Sequence, residues 1–152
     1  MASSGGSKIL VTGATGYPGS HIVKELLHTT THKVIGTSSN LKNTTRIKQF
    51  QKSIGGSPNF ELLEANMVKD KKCFDAILDK HQPQYVIHTA CPFMEGMNSN
   101  SNLNEVNGYF ESTKCLIDGV IEQNAVKKFV LTGSASSVVG PNPEQGKDHV
   151  YS

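Results

Sequence analysis

The residues with the clearest chemical potential are three glycines in the segment TGATGYPG, residues 12–19. Gly13, Gly16 and Gly19 are spaced Gly-x-x-Gly-x-x-Gly, one residue longer than the Gly-x-Gly-x-x-Gly fingerprint of dinucleotide-binding loops. In such a loop the first glycine permits a tight turn, the second lets N–H groups approach a pyrophosphate, and the third allows close helix packing. A helix N-terminus adds N–H donors and partial positive charge. The segment predicts phosphate binding, with a glycine-rich turn that binds nothing as the alternative.

The sequence on either side of these glycines predicts the strand and the helix that the chemistry needs. Residues 8–12 form a short apolar, β-branched run, and apolar residues then recur at helical spacing at Ile22, Val23, Leu26 and Leu27. The same alternation continues along the chain. We expect further strands in 32–39, 59–67, 84–92 and 127–137, and helices in 40–53, 70–81 and 103–123. The stripe expected to face inward on the last helix comprises Val106, Tyr109, Phe110, Thr113, Ile117, Val120 and Ile121.

Strands that alternate with helices predict an α/β fold with a parallel sheet and helices on both faces. The fourth strand is almost continuously apolar from Tyr85 to Ile87, as expected for a strand covered on both faces. We therefore expect a Rossmann-type, doubly wound sheet of about five strands in the order 3-2-1-4-5. It would occupy residues 8–152, after a flexible tail at residues 1–7.

Composition narrows the class of partner. The chain has 152 residues, enough for one domain, and a net charge of +2 without any long block of like charge, so a small molecule is expected rather than nucleic acid. No apolar run approaches the ~20 residues that span a bilayer, so no membrane role is expected. Cys73, Cys91 and Cys115 are an odd number without metal-ligand spacing, which predicts no metal site and a reducing, cytoplasmic location.

Five segments together resemble a known family. They are VTGATGYPGSHIVKELL, VIGTSSN, VIHTACP, EVNGYFESTKCLI and VKKFVLTGSASSVVG. In this order they resemble the extended short-chain dehydrogenase/reductases of the NAD-dependent epimerase/dehydratase superfamily, most closely the dihydroflavonol-reductase-like group. The resemblance implies NADP(H)-dependent reduction of a small carbonyl compound by hydride transfer. The alternatives are an NAD-dependent nucleotide-sugar epimerase or dehydratase, and a sensor that binds dinucleotide without catalysis.

The end of the second strand bears on the choice between NADP and NAD. An acidic residue there would bind the ribose 2′-OH of NAD, but residues 37–40 are Thr, Ser, Ser and Asn. In the family an arginine often stands where this chain has Ser39. Ser38 and Ser39 are expected to bind a 2′-phosphate with Lys42 and Arg46, which we expect one helical turn apart. NADP is therefore predicted, with NAD as the alternative. The alternative for the cations is a solvated basic face made of Lys42, Arg46, Lys48 and Lys52.

The resemblance implies further neighbours of the cofactor. They are Thr15, Tyr17 and Pro18 in the glycine loop, Asn66 and Met67 after the third strand, Thr89, Ala90 and Cys91 after the fourth, and Thr132 after the fifth. Asn66 stands where the family has an aspartate that binds the adenine amino group, and its side-chain carbonyl is expected to serve the same purpose. His88 is expected to be a half-buried structural side chain with its hydrogen bonds satisfied, with a proton-transfer group as the alternative.

In the family a tyrosine acts as general acid/base, a lysine four residues later lowers its pKa, and a serine or threonine orients the substrate oxygen. Alignment gives Ser134 as that hydroxyl, with Ser136 as competitor and a simple tight turn as the alternative. No Tyr-x-x-x-Lys occurs, because the residues four places after Tyr17, Tyr85 and Tyr109 are His21, Thr89 and Thr113, and Tyr151 is the penultimate residue. We expect the chain to be the N-terminal cofactor-binding part of a longer enzyme, without the C-terminal substrate domain. Alone it should be inactive and should self-associate through the sheet edge after the fifth strand.

Overall fold

The structure is a computed structural model that describes residues 6–91 and 103–133, with the backbone alone for residues 103–106. Strands and helices alternate from end to end. The strands are β1 (Lys8–Thr12), β2 (Lys33–Ser38), β3 (Phe60–Glu64), β4 (Tyr85–His88) and β5 (Lys128–Leu131). The helices are α1 (Tyr17–Thr29), α2 (Thr44–Ile54), α3 (Asp75–His81) and α4 (Leu103–Glu122). No helix within 6–91 or 103–133 combines the length and the apolar character needed to cross a membrane.

The five strands form one parallel sheet in the order β3-β2-β1-β4-β5, which confirms the predicted Rossmann-type fold. Leu10 in the middle of β1 lies opposite Ile35 of β2 and Val86 of β4. The chain extends the sheet from β1 through β2 to β3, then crosses back and adds β4 on the other side of β1. The gap between the carboxyl ends of β1 and β4 is thus the point where the winding direction reverses, the usual ligand position in such sheets.

Side chains of β1 alternate between two hydrophobic cores. Ile9 and Val11 pack on one face of the sheet with Val23 of α1 and Phe50 of α2. Leu10 packs on the opposite face, in a core whose helical members are Ile77 and Leu78 of α3 and Leu116 and Val120 of α4. The alternation follows from the two-residue period of a strand. The sheet therefore has two helices on each face, as predicted.

Local side-chain hydrogen bonds set three element boundaries that differ from expectation. α2 begins at Thr44 rather than near residue 40, because Asn43 caps it by accepting the N–H of Arg46 at 3.2 Å. Lys42 thus precedes the helix and does not share a helical turn with Arg46. β3 ends at Glu64 instead of continuing to residue 67, and α3 begins at Asp75 instead of residue 70. Residues 67–69 and 71–74 form turns.

The buried face of α4 also differs from the predicted stripe. Phe110 and Ile121 are 67% and 68% exposed, so their expected inward orientation is wrong. Among residues 107–122 the buried positions are Ser112, Leu116 and Val120, which recur every four residues. Val106 lies outside the residues whose side chains are described. The Ser112 hydroxyl donates to the carbonyl of Met67 at 2.7 Å. A hydrophobic pattern does not include a buried serine bonded to the loop after β3, so apolar spacing alone could not predict this face of the helix.

Candidate cofactor-binding site

A cleft of about 670 Å³ lies across the carboxyl ends of the strands, where the winding direction reverses. Thirteen of the sixteen predicted cofactor neighbours line it. They are Gly13, Thr15, Gly16, Tyr17 and Pro18 after β1, Ser38, Ser39 and Arg46 from β2 to α2, Met67 after β3, Thr89, Ala90 and Cys91 after β4, and Thr132 after β5. The structure therefore brings together residues that are far apart in sequence at one edge of the sheet, as parallel strands require.

Three predicted neighbours do not line the cleft, and four unpredicted residues do. Gly19, Lys42 and Asn66 are the predicted residues that lie outside its lining. Ser134, the predicted substrate-orienting hydroxyl, and its competitor Ser136 lie outside the described residues. The unpredicted lining residues are Thr37, Ala65, Tyr109 and Gly133. Thr37 and Gly133 adjoin predicted residues, so the rule that carboxyl ends of strands converge would have found them.

Two glycines of the loop hold positions that a side chain would obstruct. Gly13 has φ 68°, the left-handed region that favours glycine. A Cβ at Gly13 would also lie 2.9 Å from the Ala90 backbone. A Cβ at Gly19 would collide with the carbonyl group of Gly13. The loop thus runs close to the segment after β4 and to the first turn of α1, and it leaves the backbone open towards the cleft.

The first turn of α1 supplies N–H donors for an anion. Its cap residue Gly16 donates its own N–H to Gly13 at 2.8 Å and accepts from Ser20 at 3.0 Å. Helix geometry leaves the next three positions without intrahelical acceptors. Tyr17 and Gly19 carry N–H groups there, whereas Pro18 has none. This arrangement fits a pyrophosphate, although it offers one donor fewer than a loop without proline.

β2 and α2 hold the glycine loop from the β2 side of the cleft. Thr37 accepts the N–H of Gly13 on its hydroxyl at 3.3 Å and the N–H of Ala14 on its carbonyl at 2.8 Å. The hydroxyls of Thr15 and Ser38 are 3.0 Å apart. Arg46 Nε donates to the carbonyl of Thr15 at 3.0 Å. The arginine is therefore tethered to the loop by its Nε atom, while the donors at its two terminal nitrogens remain for other contacts.

Charge is sparse in this cleft. Among the described residues that line it, Arg46 is the one charged side chain, and no Asp or Glu belongs to the lining. Glu64, at the end of β3, accepts the N–H of Leu41 at 3.1 Å and lies outside the lining. An anionic group at this end of the cleft would therefore meet a guanidinium and no lining carboxylate.

Asn66 uses its side chain within the protein. Its Oδ1 atom accepts the N–H groups of Val68 at 3.1 Å and Lys69 at 3.2 Å, and its Nδ2 atom donates to the carbonyl of Ser39 at 3.1 Å. The two acceptor positions of this oxygen are thus occupied by the turn after β3. The carbonyl that was expected to face an adenine amino group is directed elsewhere.

A smaller cleft of about 310 Å³ lies between α3 and α4. Its lining includes four carboxylates, those of Asp75, Asp79, Asp118 and Glu122. These acidic side chains would repel the phosphates of a dinucleotide, so electrostatics favours the larger cleft at the carboxyl edge of the sheet as the cofactor site.

Residues 9–152 match the NAD dependent epimerase/dehydratase family. Tetraketide alpha-pyrone reductase 1 of Arabidopsis thaliana is 30% identical over 131 residues, which cover 86% of this chain and 39% of that protein. Gre2 of Candida albicans, solved in complex with NADPH, is 27% identical with a TM-score of 0.70, covering 86% of this chain and 38% of that one.

An epimerase structure gives a similar match. The UDP-Glc/GlcNAc 4-epimerase of Campylobacter jejuni is 25% identical with a TM-score of 0.69, and the match covers 86% of this chain and 38% of that one. The chain thus spans about two fifths of the length of these relatives. Both of these solved structures share its fold. The chain belongs to the NAD dependent epimerase/dehydratase family.

Proposed function

We propose that this chain binds NADP(H) as the cofactor-binding portion of an oxidoreductase that reduces a small carbonyl compound. The observation that supports NADP is the charge pattern at the β2 end of the cleft, where Arg46 is the one charged side chain among the described lining residues. A 2′-phosphate would be attracted to this guanidinium. The ribose 2′-OH of NAD would lack the carboxylate that usually binds it at the end of the second strand.

The tether on Arg46 favours this role over a freely solvated cation. Its Nε atom is bound to Thr15 of the glycine loop at 3.0 Å, and no Asp or Glu of the described residues forms an ion pair with it. A side chain already held at one atom loses less conformational entropy when a phosphate binds to its remaining donors. Ser39 is exposed and lines the same cleft as Arg46, so its hydroxyl group is available to a phosphate there. The buried Ser38 hydroxyl is bonded to Thr15.

The reductase branch draws support from relatives whose names describe reductases and from Gre2, which was solved with NADPH. A nicotinamide bound at the β4 and β5 end would supply or accept the hydride. There Thr132 and Gly133 line the cleft, and Ser134 follows them in sequence. We assign Ser134 the orientation of the substrate oxygen by hydrogen bonding. The three cysteines are thiols rather than disulfides, in keeping with a proposed cytoplasmic location.

The proposal is tested by calorimetric titration of the chain with NADPH and with NADH at one salt concentration. NADPH should bind more tightly. Arg46→Ala should weaken NADPH binding by about tenfold or more, since charged hydrogen bonds contribute about 1.5–3 kcal/mol, and should leave NADH nearly unchanged. Lys48→Ala is the matched control, because Lys48 is an exposed cation on the same helix that does not line the cleft.

Other outcomes of the titration would redirect the proposal. NADH binding as tight as NADPH binding, with no effect of Arg46→Ala, would contradict the NADP assignment and favour the NAD-dependent epimerase branch. Equal weakening of NADPH by Arg46→Ala and Lys48→Ala would mean that the basic face acts through its total charge. Absence of binding by either dinucleotide would contradict the assignment of this cleft as a cofactor site in the chain.

We also propose that the chain self-associates through β5. Among the described residues β5 is the last strand of the sheet and pairs with β4 alone. Val130 and Leu131 are 45% and 53% exposed, so a second copy could add its own edge there. Sedimentation velocity should show dimers whose fraction rises with concentration and falls in Val130→Lys. A strictly monomeric species over a wide concentration range would contradict this.

A further inference from the structure

A hydrogen-bonded cluster lies behind the cleft, at the carboxyl ends of β1 and β4. His88 Nδ1 is 2.7 Å from the hydroxyl of Thr12, and His88 Nε2 is 3.2 Å from the hydroxyl of Thr113 in α4. The imidazole is buried, stacks on Phe129 and contacts Phe74 edge-on. His88, Thr12 and Thr113 do not line the cleft. Any effect of these three residues on a ligand is therefore exerted through neighbouring residues that line the cleft.

The hydrogen-bond donors around Thr12 fix the tautomer of His88. The Thr12 hydroxyl oxygen lies 3.2 Å from the N–H of Thr89 and 3.2 Å from the N–H of Ala90, and these groups can only donate. Its own hydrogen is thus left for His88 Nδ1, which must accept it. The ring hydrogen is then on Nε2 and is donated to Thr113. Burial lowers the pKa of His88 to about 4, so the ring is neutral at pH 7, as this assignment requires.

The cluster holds two segments of the cleft wall in place. The first is the loop after β4, whose Thr89 and Ala90 N–H groups are bound by Thr12. The second is the end of β5, where the N–H and the hydroxyl of Thr132 both donate to the carbonyl of His88 at 3.1 Å. Both segments belong to the β4–β5 half of the sheet. In a doubly wound sheet that binds a dinucleotide, the adenosine lies over the β1–β3 half and the second nucleotide over the β4–β5 half.

We propose that His88 is a positioning residue for the nicotinamide half of the dinucleotide, a role that rests on the proposed cofactor function. Its Nδ1 atom orients the Thr12 hydroxyl, which fixes the loop after β4. Its Nε2–H group ties this arrangement to α4 through Thr113, and its carbonyl holds Thr132. The adenosine half, which contacts the glycine loop, β2 and Arg46, does not depend on it.

The test compares a complete dinucleotide with the same molecule lacking its nicotinamide. The chain is titrated with NADP⁺ and with 2′-phospho-ADP-ribose, and with NAD⁺ and ADP-ribose as a second pair. His88→Leu removes both ring hydrogen bonds and should weaken NADP⁺ binding by about tenfold, while 2′-phospho-ADP-ribose changes by less than about twofold. His88→Asn keeps an acceptor close to the Nδ1 position and should recover most of the loss.

His81→Leu is the matched control. His81 is also buried, but it ends α3 near the start of β1, where its carbonyl accepts from Lys8. It thus lies towards the amino ends of the strands, whereas the cleft lies at their carboxyl ends. A substitution at His81 can change the stability of the fold without changing the ratio of the affinities for NADP⁺ and 2′-phospho-ADP-ribose. Each variant is titrated at a temperature where circular dichroism shows it folded.

Three results of these titrations would overturn the proposed role of His88. Equal weakening of NADP⁺ and 2′-phospho-ADP-ribose in His88→Leu would reduce His88 to a general structural residue and overturn it. So would equal affinity of the unmodified chain for the two ligands, because the nicotinamide ring would then contribute nothing to binding. If the unmodified chain binds none of the four ligands, the proposed cofactor function itself fails and the inference falls with it.

Discussion

Acidification should destabilise the fold through His88. This side chain is 2% exposed and both of its ring nitrogens are hydrogen-bonded. Burial lowers its pKa from 6.5 to about 4. Between these two pKa values the unfolded chain binds a proton that the folded chain does not, so protons favour unfolding. Stability is therefore complete above about pH 6.5 and is lost progressively as the pH falls towards 4.

The size of the loss follows from the shift in pKa. A difference of about 2.5 units corresponds to about 3 kcal/mol at the acid limit, of which about 2 kcal/mol falls between about pH 7 and pH 5. A domain of this size has about 5–15 kcal/mol of stability, so the loss should shift a urea unfolding curve measurably.

The assay is urea unfolding followed by circular dichroism at the two pH values. His88→Asn does not titrate in this range and should lose about 2 kcal/mol less than the unmodified chain on acidification. The pKa of His81 is also lowered by burial, so the comparison is repeated in a His81→Asn background, which removes its contribution from both proteins. If His88→Asn and the unmodified chain lose the same free energy of unfolding on acidification, the reasoning is refuted, because the acid sensitivity then belongs to other groups.

Two further predictions concern the glycine loop. Gly19→Ala should lower stability by several kcal/mol, because its methyl group would collide with the Gly13 carbonyl. Gly108→Ala in α4 is the comparison and should raise stability by about 1 kcal/mol, since no described atom lies within 4 Å of the added carbon. Thermal unfolding measures the stability of both glycine variants, and equal effects of the two substitutions would contradict the packing argument. Pro18→Ala adds an N–H donor to the first turn of α1 and should tighten dinucleotide binding by about tenfold. Unchanged or weaker binding in the same titration would show that this donor does not face the pyrophosphate.

The sequence predicted the order and type of the elements because their hydrophobic periods are strong and local. The run from Lys8 to Thr12 alternates between two cores once folded, and the helical spacing after Gly19 does pack on one of them. The errors occur where a polar side chain satisfies a nearby backbone group. The Asp70 carboxylate accepts the N–H of Lys72 at 2.9 Å, and the turns there delay α3 until Asp75 although the preceding residues fit a helical pattern.

The lining of the cleft could be predicted best where one short segment combines several structural features. The glycine loop combines a turn and a helix start within a few residues, so composition and spacing indicate where it lies. Tyr109 was missed because it reaches the cleft from α4 through tertiary packing, which no local pattern describes. Arg46 was expected at the cleft because of its charge, but its bond to Thr15 joins residues 31 positions apart and could only be found in the structure.

Some properties of His88 could be predicted from the sequence, and others could be found only in the structure. A histidine that ends an apolar strand could be expected to have satisfied hydrogen bonds, but its two partners lie 76 and 25 positions away, so neither the tautomer nor the link to the cofactor loop could be predicted. The same ring now has two separable consequences. The pH dependence requires a titratable ring, whereas the positioning of the loop requires only an acceptor beside Thr12. His88→Asn should therefore abolish most of the acid sensitivity while preserving selective binding of the nicotinamide half. Loss of both properties together in this folded variant would mean that ring packing, and not the hydrogen bond, holds the loop.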